Sequence, residues 1–323
     1  MDKKDIISIS KRIRKAKDEV KKQVREGKVA KSFSVNKGFR IIDPPHVFTP
    51  SLEMQSDKWY FNGFLIDISG KLIVVDPGVD FYSRFSRTGL NFFDIKAVIV
   101  THGHTDHIAS LAVFIEKILR NEIDKKQFFI SKLAFENELT SYHQNQLKKR
   151  NDVELILLKK DGPGKYALFN KDKIEFISLH HSYKDTFGFK IEHGEMIFGC
   201  VSDTGYAKRV KTDRGIFEPH KTKGEFIEII KKHDYIKDFY SDCRIVALNI
   251  NDLHYNRHSR FHMSGWDVLD LFKDVPLRKL ILFHLSPISA KRENGNYIYR
   301  LFFKGQLYKT ILPRYVGRVI KCD

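Results

Sequence analysis

The stretch "THGHTDHIAS" (101–110) places His102, His104, Asp106 and His107 within six positions. Imidazole nitrogens and carboxylate oxygens are good ligands for zinc and related divalent metals. Four such donors in so short a span are hard to explain as satisfied polar groups of a core. In an extended loop His102 and His104 point the same way, while Asp106 and His107 begin the next helix and turn back over the same pocket. One pair can serve one metal and the other pair its neighbour. Gly103 gives the loop room to turn tightly.

The flanking elements must hold that loop. "IKAVIV" (95–100), just before it, is a short continuous apolar run, the mark of a buried strand. "IASLAVFIEKILRNE" (108–122), just after it, has helical periodicity. Upstream, "WYFNGFLIDI" and "KLIVVDPG" read as strands joined by a turn at "SG". Downstream, "QFFIS" reads as a strand and "KLAFENELTSYHQNQLKK" as one helix. Strands follow at "VELILL", "YALFN", "KIEFISL", "FGFKIEH" and "EMIFGCVSD", the last two closed into a hairpin by "HG" (193–194). Residues 205–261 form the least regular stretch, with a helix expected near 224–233. The strand "CRIVALNI", the helix "GWDVLDLFKD" and the strand "KLILFHL" close the core. "ENGNYIYRLFF" reads as a terminal hairpin. Trp59 and Tyr60 are expected in the core rather than in a base-stacking motif.

The chain has 323 residues, 42% of them hydrophobic, enough for a large core. No run of eighteen apolar residues exists, so no membrane span is expected. The first residues lack the long apolar core of a secretory signal. Cys200, Cys243 and Cys322 have no paired spacing, which points to a reduced, cytoplasmic setting. The net charge of +17 favours polyanionic partners, nucleic acid first among them. Residues 1–31 carry twelve Lys and Arg against five Asp and Glu. Ile6, Ile9, Ile13, Ala16, Val20 and Val24 recur there at helical steps. The expected division is an N-terminal basic helical extension (1–40), a catalytic domain (41–290, with an insertion at 205–261) and a C-terminal hairpin extension (291–323).

"HGHTDH" fits the H-x-H-x-D-H signature of the metallo-β-lactamase superfamily, which the chain resembles over roughly residues 56–287. The resemblance implies an α/β fold, a four-layer αββα sandwich of two mixed sheets, with the active site at strand ends. It also implies two divalent metal ions, zinc on ligand type with manganese as the alternative. "VVDPG" (74–78) resembles the family's first motif, making Asp76 a structural acid that steadies the metal loop. A later histidine should serve the first metal. His181, followed by Gly188–Phe189, fits better than His180, which is the second choice. "FGCVSDTGY" supplies Asp203 as the bridging acid and "LILFHLSP" supplies His284 as the last ligand. On this reading His102, His104 and His181 hold one metal, Asp106, His107 and His284 the other, and Asp203 bridges. Asp106 is then a catalytic-centre residue as well as a ligand.

The branch is read from "RFHMSGWDVLDLF". His262 precedes His284 by twenty-two residues and resembles the His-x-Ser/Thr element of ribonuclease Z and its phosphodiesterase relatives. There the histidine contacts the scissile phosphate, so His262 is the expected catalytic group, and Ser264 the cap of the next helix. Arg257 and Arg260 are candidate phosphate-binding residues. The implied function is phosphodiester hydrolysis, by a nuclease acting on RNA or DNA. The alternatives are a small-molecule or cyclic-nucleotide phosphodiesterase, or another hydrolase of the same fold. The chain lacks the glycine–proline-rich arm with which ribonuclease Z grips transfer RNA, so transfer-RNA processing does not follow. Expected partners are nucleic acid or a small phosphodiester, with no membrane. A homodimer fits the habit of the family.

Overall fold

A computed structural model describes residues 39–43, 63–86, 88–120, 124–169, 172–252, 255, 257–275, 277–283, 291–293, 296–303, 306–311 and 318–321. The basic segment 1–31, Trp59, Tyr60, His284 and Cys322 lie outside the described residues. Strands β1 (Phe39–Asp43), β2 (Phe64–Ile68), β3 (Lys71–Val75), β4 (Ile95–Val100), β5 (Lys126–Ser131) and β6 (Val153–Leu158) form one mixed sheet. With β17 (Arg318–Lys321) at its edge, the order is β17-β1-β2-β3-β4-β5-β6. The β2–β3 pair is antiparallel, whereas β3, β4, β5 and β6 run parallel.

The second sheet contains β7 (Lys165–Leu168), β8 (Asp172–Ser178), β9 (Phe187–His193) and β10 (Met196–Val201) as an antiparallel meander. The parallel strands β14 (Ile245–Asp252), β15 (Met263–Ser264) and β16 (Lys279–Phe283) complete it. Ser69–Gly70 and Gly194 sit at positive φ in the tight turns of the β2–β3 and β9–β10 hairpins.

Alternation along the strands explains the layers. Phe64, Ile66, Ile73, Val75, Ala97 and Ile99 face Phe176, Phe187, Phe189, Ile191, Phe198 and Ala247 between the two sheets. The alternate residues Leu65, Val74, Val98, Val100 and Phe128 pack outward against Phe81, Leu111, Phe114, Ile115, Ile118 and Phe135. These belong to helices α1 (Phe81–Ser86), α3 (Leu111–Leu119) and α4 (Lys132–Glu138). On the other outer face Val201, Val246, Leu248 and Ile250 meet Ile236, Tyr240, Val268 and Leu271. Those last four come from α6 (Asp234–Tyr240) and α7 (Gly265–Phe272). Both faces of each sheet are buried, which is why strands such as "IKAVIV" read as continuous apolar runs. The result is the expected αββα sandwich.

Three local expectations are corrected. "KLAFENELTSYHQNQLKK" is two helices, α4 and α5 (Ser141–Lys149), because the Thr140 hydroxyl accepts the His143 N–H and starts a new helix. The helix expected near 224–233 is strand β13 (Phe226–Lys232). It pairs antiparallel with β11 (Ala207–Thr212), which also pairs with β12 (Gly215–Phe217). The β-branched Ile227, Ile229 and Ile230 favour that extended form once a partner strand is present. Residues 207–232 are therefore a regular three-stranded sheet rather than an irregular insertion.

Phe189 is fully buried at the centre of the inter-sheet layer, 5.9 Å from the Phe176 ring and 6.2 Å from that of Phe198. Phe189→Ala is expected to destabilise the protein by roughly 3–5 kcal/mol through lost burial and a residual cavity. Urea denaturation followed by tryptophan fluorescence or circular dichroism measures it. A loss below about 1 kcal/mol would contradict this view of the core.

Candidate metal centre

The loop that follows β4 carries His102, Gly103 and His104, and ends in α2 (Thr105–Ile108), which carries Asp106 and His107. Gly103 lies directly under the Tyr183 ring, where any Cβ would collide with the phenol. The loop after β8 supplies His181, the loop after β10 supplies Asp203, and the residues before β15 supply His262. The sandwich thus brings strand ends from both sheets to one point.

Asp76 directly follows β3 and lies in the left-handed region, with φ 45. Its Oδ1 accepts the Thr101 N–H at 2.7 Å, and its Oδ2 accepts the Thr101 hydroxyl at 2.7 Å. The same Oδ2 lies 2.9 Å from His107 Nδ1, so that nitrogen carries the proton and donates it. His107 Nε2 is therefore the nitrogen that faces Asp106 and Asp203. The Thr101 hydroxyl proton is committed to Asp76, so its oxygen accepts from His102 Nδ1 at 3.1 Å, leaving His102 Nε2 bare. Ser202 Oγ lies 2.8 Å from the same Thr101 oxygen. His181 Nδ1 donates to the Phe261 carbonyl at 2.9 Å, which bares its Nε2 too. Carboxylate and carbonyl partners of this kind fix ring orientation and tautomer around metals.

Those lone pairs converge. His104 Nδ1 lies 3.2 Å from His102 Nε2 and 3.1 Å from His181 Nε2. A tetrahedral zinc with bonds of about 2.0–2.1 Å sets its ligand atoms roughly 3.3 Å apart. His107 Nε2 lies 3.4 Å from both Asp106 Oδ2 and Asp203 Oδ2. Asp203 Oδ2 is also 3.8 Å from His102 Nε2 and 3.9 Å from His181 Nε2. One carboxylate oxygen therefore belongs to both groups, His102–His104–His181–Asp203 and Asp106–His107–Asp203. Asn249 Nδ2 donates to the other oxygen of Asp203 at 3.1 Å. Imidazole nitrogens and carboxylate oxygens aimed at common points with this spacing suit a divalent cation as their shared partner. The donor set fits two metals.

Electrostatics agree. Burial, then the neighbouring His107, pushes His102 well below the usual histidine range, and burial pushes His181 down to about 4. Burial lowers His104 as well. Burial also acts downward on His107, but Asp76, Asp106 and Asp203 together outweigh it and raise that ring well above the ordinary value. Three neutral rings beside three carboxylates suit metal ligation.

His181, not His180, enters this cluster. His180 is exposed beside it and stacks on His233 at 4.9 Å. His262 Nδ1 lies 3.8 Å from Asp203 Oδ2, and its ring is 5.0 Å from that of His181. Arg257 and Arg260 are exposed on the 257–261 turn; Arg257 contacts His258 and Arg260 lies over the Phe261 ring. His284, assigned from sequence to the second metal, lies outside the described residues, and β16 ends at Phe283. Thr101, Ser202, Asn249 and the Phe261 carbonyl escaped the sequence reading. Only Asn249, a polar residue inside the apolar strand "IVALNI", carries a signal there.

His262 is held from behind. The Ser264 hydroxyl and the Asp267 carboxylate form a capping box at the start of α7, with Ser264 N–H donating to Asp267 Oδ2 at 2.8 Å. Tyr255 donates its hydroxyl to Asp267 Oδ1 at 2.8 Å. Burial pushes the Asp267 carboxyl up to about 6 despite these bonds.

The family model of the metallo-β-lactamase superfamily matches residues 60–118. Ribonuclease Z of Methanopyrus kandleri is 37% identical over 49 residues, 15% of this chain and 18% of that protein. The chain thus aligns with under one fifth of that curated relative. Among solved structures, a diphosphatase of the PhnP family superposes with a TM-score of 0.56 at 13% identity, over 87% of this chain and 96% of the other. Human tRNase Z, short form, superposes with a TM-score of 0.51 at 14% identity, over 77% and 93%. The chain has the metallo-β-lactamase fold. Among the described residues no helix is long and apolar enough to cross a membrane.

Two outcomes test this centre. Asp76→Asn keeps the side-chain shape but turns one acceptor into a donor facing other donors. It is expected to weaken metal binding 10–100-fold, measured by competition with a chromogenic chelator. Unchanged affinity would remove Asp76 from the metal-holding set. Separately, an acid whose folded pKa is raised binds its proton more tightly in the folded state. Asp267 therefore contributes stability below about pH 4 that is lost as pH rises through about 6. Asp267→Asn should flatten that part of the stability–pH curve relative to the wild type. Parallel curves would show that the Asp267 carboxyl does not titrate in this window.

Proposed function

We propose that the protein is a dinuclear metal-dependent phosphodiester hydrolase acting on nucleic acid. The observation that carries this reading is His262, whose ring stands against His181 and Asp203 at the mouth of the two ligand groups. An imidazole there suits a phosphodiesterase, because a proton must reach the departing oxygen and charge builds on the phosphoryl oxygens.

His102, His104 and His181 would hold one metal, Asp106 and His107 the second together with His284, and Asp203 would bridge. Zinc is the metal assigned, since three imidazoles and a carboxylate oxygen suit it. Bound divalent metals supply an acidified water and charge neutralisation for displacement at phosphorus. The chain's own residues do the rest. Asp76 and the Phe261 carbonyl orient rings, and Asn249 steadies the shared carboxylate. His262 presents a proton to the leaving oxygen, and Arg257 and Arg260 hold flanking phosphate oxygens. Buried, unbonded Cys200 and Cys243 suit a reducing cytoplasm.

A second reading, a compact phosphodiesterase, draws support from the likeness to the PhnP-family diphosphatase. It predicts binding indifferent to salt, whereas a nuclease binds less tightly as salt releases the counterion advantage.

Metal-loaded protein is expected to hydrolyse bis(p-nitrophenyl) phosphate. His262→Ala is expected to lose roughly 10²–10⁴-fold in kcat while keeping two metals per chain by elemental analysis. Metals bound with no diester cleavage by either protein would sink the phosphodiesterase reading.

A further inference from the structure

A run of rings leaves the metal centre on the side of the second sheet. Phe261 lies 6.2 Å from the His181 ring, and His180 lies 5.7 Å from Phe261. His233 stacks on His180 with the planes 28° apart, and Tyr235, 44% exposed, meets His233 edge-on at 5.6 Å. None of these four rings belongs to the ligand groups.

The run is built by the backbone that follows Asp203. His180 N–H donates to Thr204 Oγ1 at 3.0 Å, Gly205 N–H to the His180 carbonyl at 2.9 Å, and His233 N–H to the Tyr206 carbonyl at 3.0 Å. A side chain at Gly205 would strike the Arg260 carbonyl, so this glycine lets the three loops close on one another. The aromatic run is thus tied to the candidate bridging ligand within three residues.

Cations gather along it. Lys160, Arg260 and Lys208 all lie close enough to His180 to depress its basicity after burial does, and Lys208 does the same to His233. All three cations are exposed, and among the described residues none is in an ion pair with a carboxylate. Exposed cations gathered in this way attract anions, with Asp234 the acidic neighbour at His233. Beside stacked rings they match what a single strand needs: π-faces for successive bases and positive charge for the backbone. A compact diester would end within the metal centre and leave the outer rings unused.

We propose that Phe261, His180, His233 and Tyr235, flanked by Lys208 and Arg260, form a track that seats a single strand of nucleic acid next to the scissile linkage. The proposal rests on the phosphodiesterase reading for its direction toward the metals, but binding tests it alone. The probe is a fluorescein-labelled oligouridylate of ten nucleotides, titrated by anisotropy with the full, metal-loaded chain at several salt concentrations. The variants are His233→Ala, Tyr235→Ala and Lys208→Gln, each checked for folding by thermal melting.

Each ring variant is expected to weaken binding roughly tenfold. Lys208→Gln is expected to lower the salt slope by about 0.7. A duplex of the same length should compete poorly. Affinity unchanged in all three variants, or a duplex that competes equally, would overturn the track while leaving chromogenic-diester hydrolysis, and with it the catalytic reading, intact. Strand binding that depends on these residues in a protein that cleaves no diester would support the track and sink the catalytic reading instead.

Discussion

The Asp76 carboxylate is the constraint on which the centre depends. A buried charge is expensive unless it is fully hydrogen-bonded. Asp76 meets that condition by accepting a backbone N–H, a hydroxyl and an imidazole N–H from Thr101 and His107. Those bonds tie β3 to the loop after β4 and to α2. They also set the His107 tautomer directly and the His102 tautomer through the Thr101 hydroxyl. The left-handed backbone at Asp76 is tolerable because a short polar side chain can adopt it, and three bonds hold it there.

The remaining donors arrive only because two sheets pack face to face. His102, His104, Asp106 and His107 come from the first sheet; His181, Asp203 and His262 come from the second. The inter-sheet layer of Phe129, Phe176, Phe187, Phe189 and Phe198 sets the distance between those strand ends. Packing and ligation are therefore coupled. A metal that binds only the assembled donor set stabilises the fold, and loosening the core loosens the set.

What the sequence revealed follows the same division. "HGHTDH" was legible because ligation demands particular residue types at fixed local spacing. The sequence favours His181 over His180 only through the Gly188–Phe189 that follows it, since a one-residue shift at a strand end turns the side chain to the other side. The Phe261 carbonyl, eighty residues away, is what orients His181. Thr101, Ser202 and Asn249 are ordinary residues whose roles come from tertiary placement. The strand at 226–232 resembled a helix because its apolar residues fall at three-residue steps, and the partner that makes it extended is β11. Strand alternation and apolar runs carried the layers themselves, since both faces of each sheet are buried.

This asymmetry bears on specificity. The family model matches residues 60–118, the stretch that carries the local ligand loop and Asp76. The second sheet supplies His181, Asp203 and His262 on loops 179–186, 203–206 and 257–262, which mix buried residues such as Leu179, Thr204, Tyr206 and Ser259 with exposed ones such as His180, Arg257 and Arg260. Metal geometry restricts the ligand loop to a few residue types at set positions. Substrate contact places no such demand on the exposed residues of the second sheet's loops, which can change their rings and charges while the ligands His181 and Asp203 and the proposed proton donor His262 stay fixed. Ligation and the proposed proton donor thus draw on both sheets, while the exposed rings and charges beside them lie on the second. The rings and exposed cations beside His181 are therefore where the proposed track would set the choice between a compact diester and a strand.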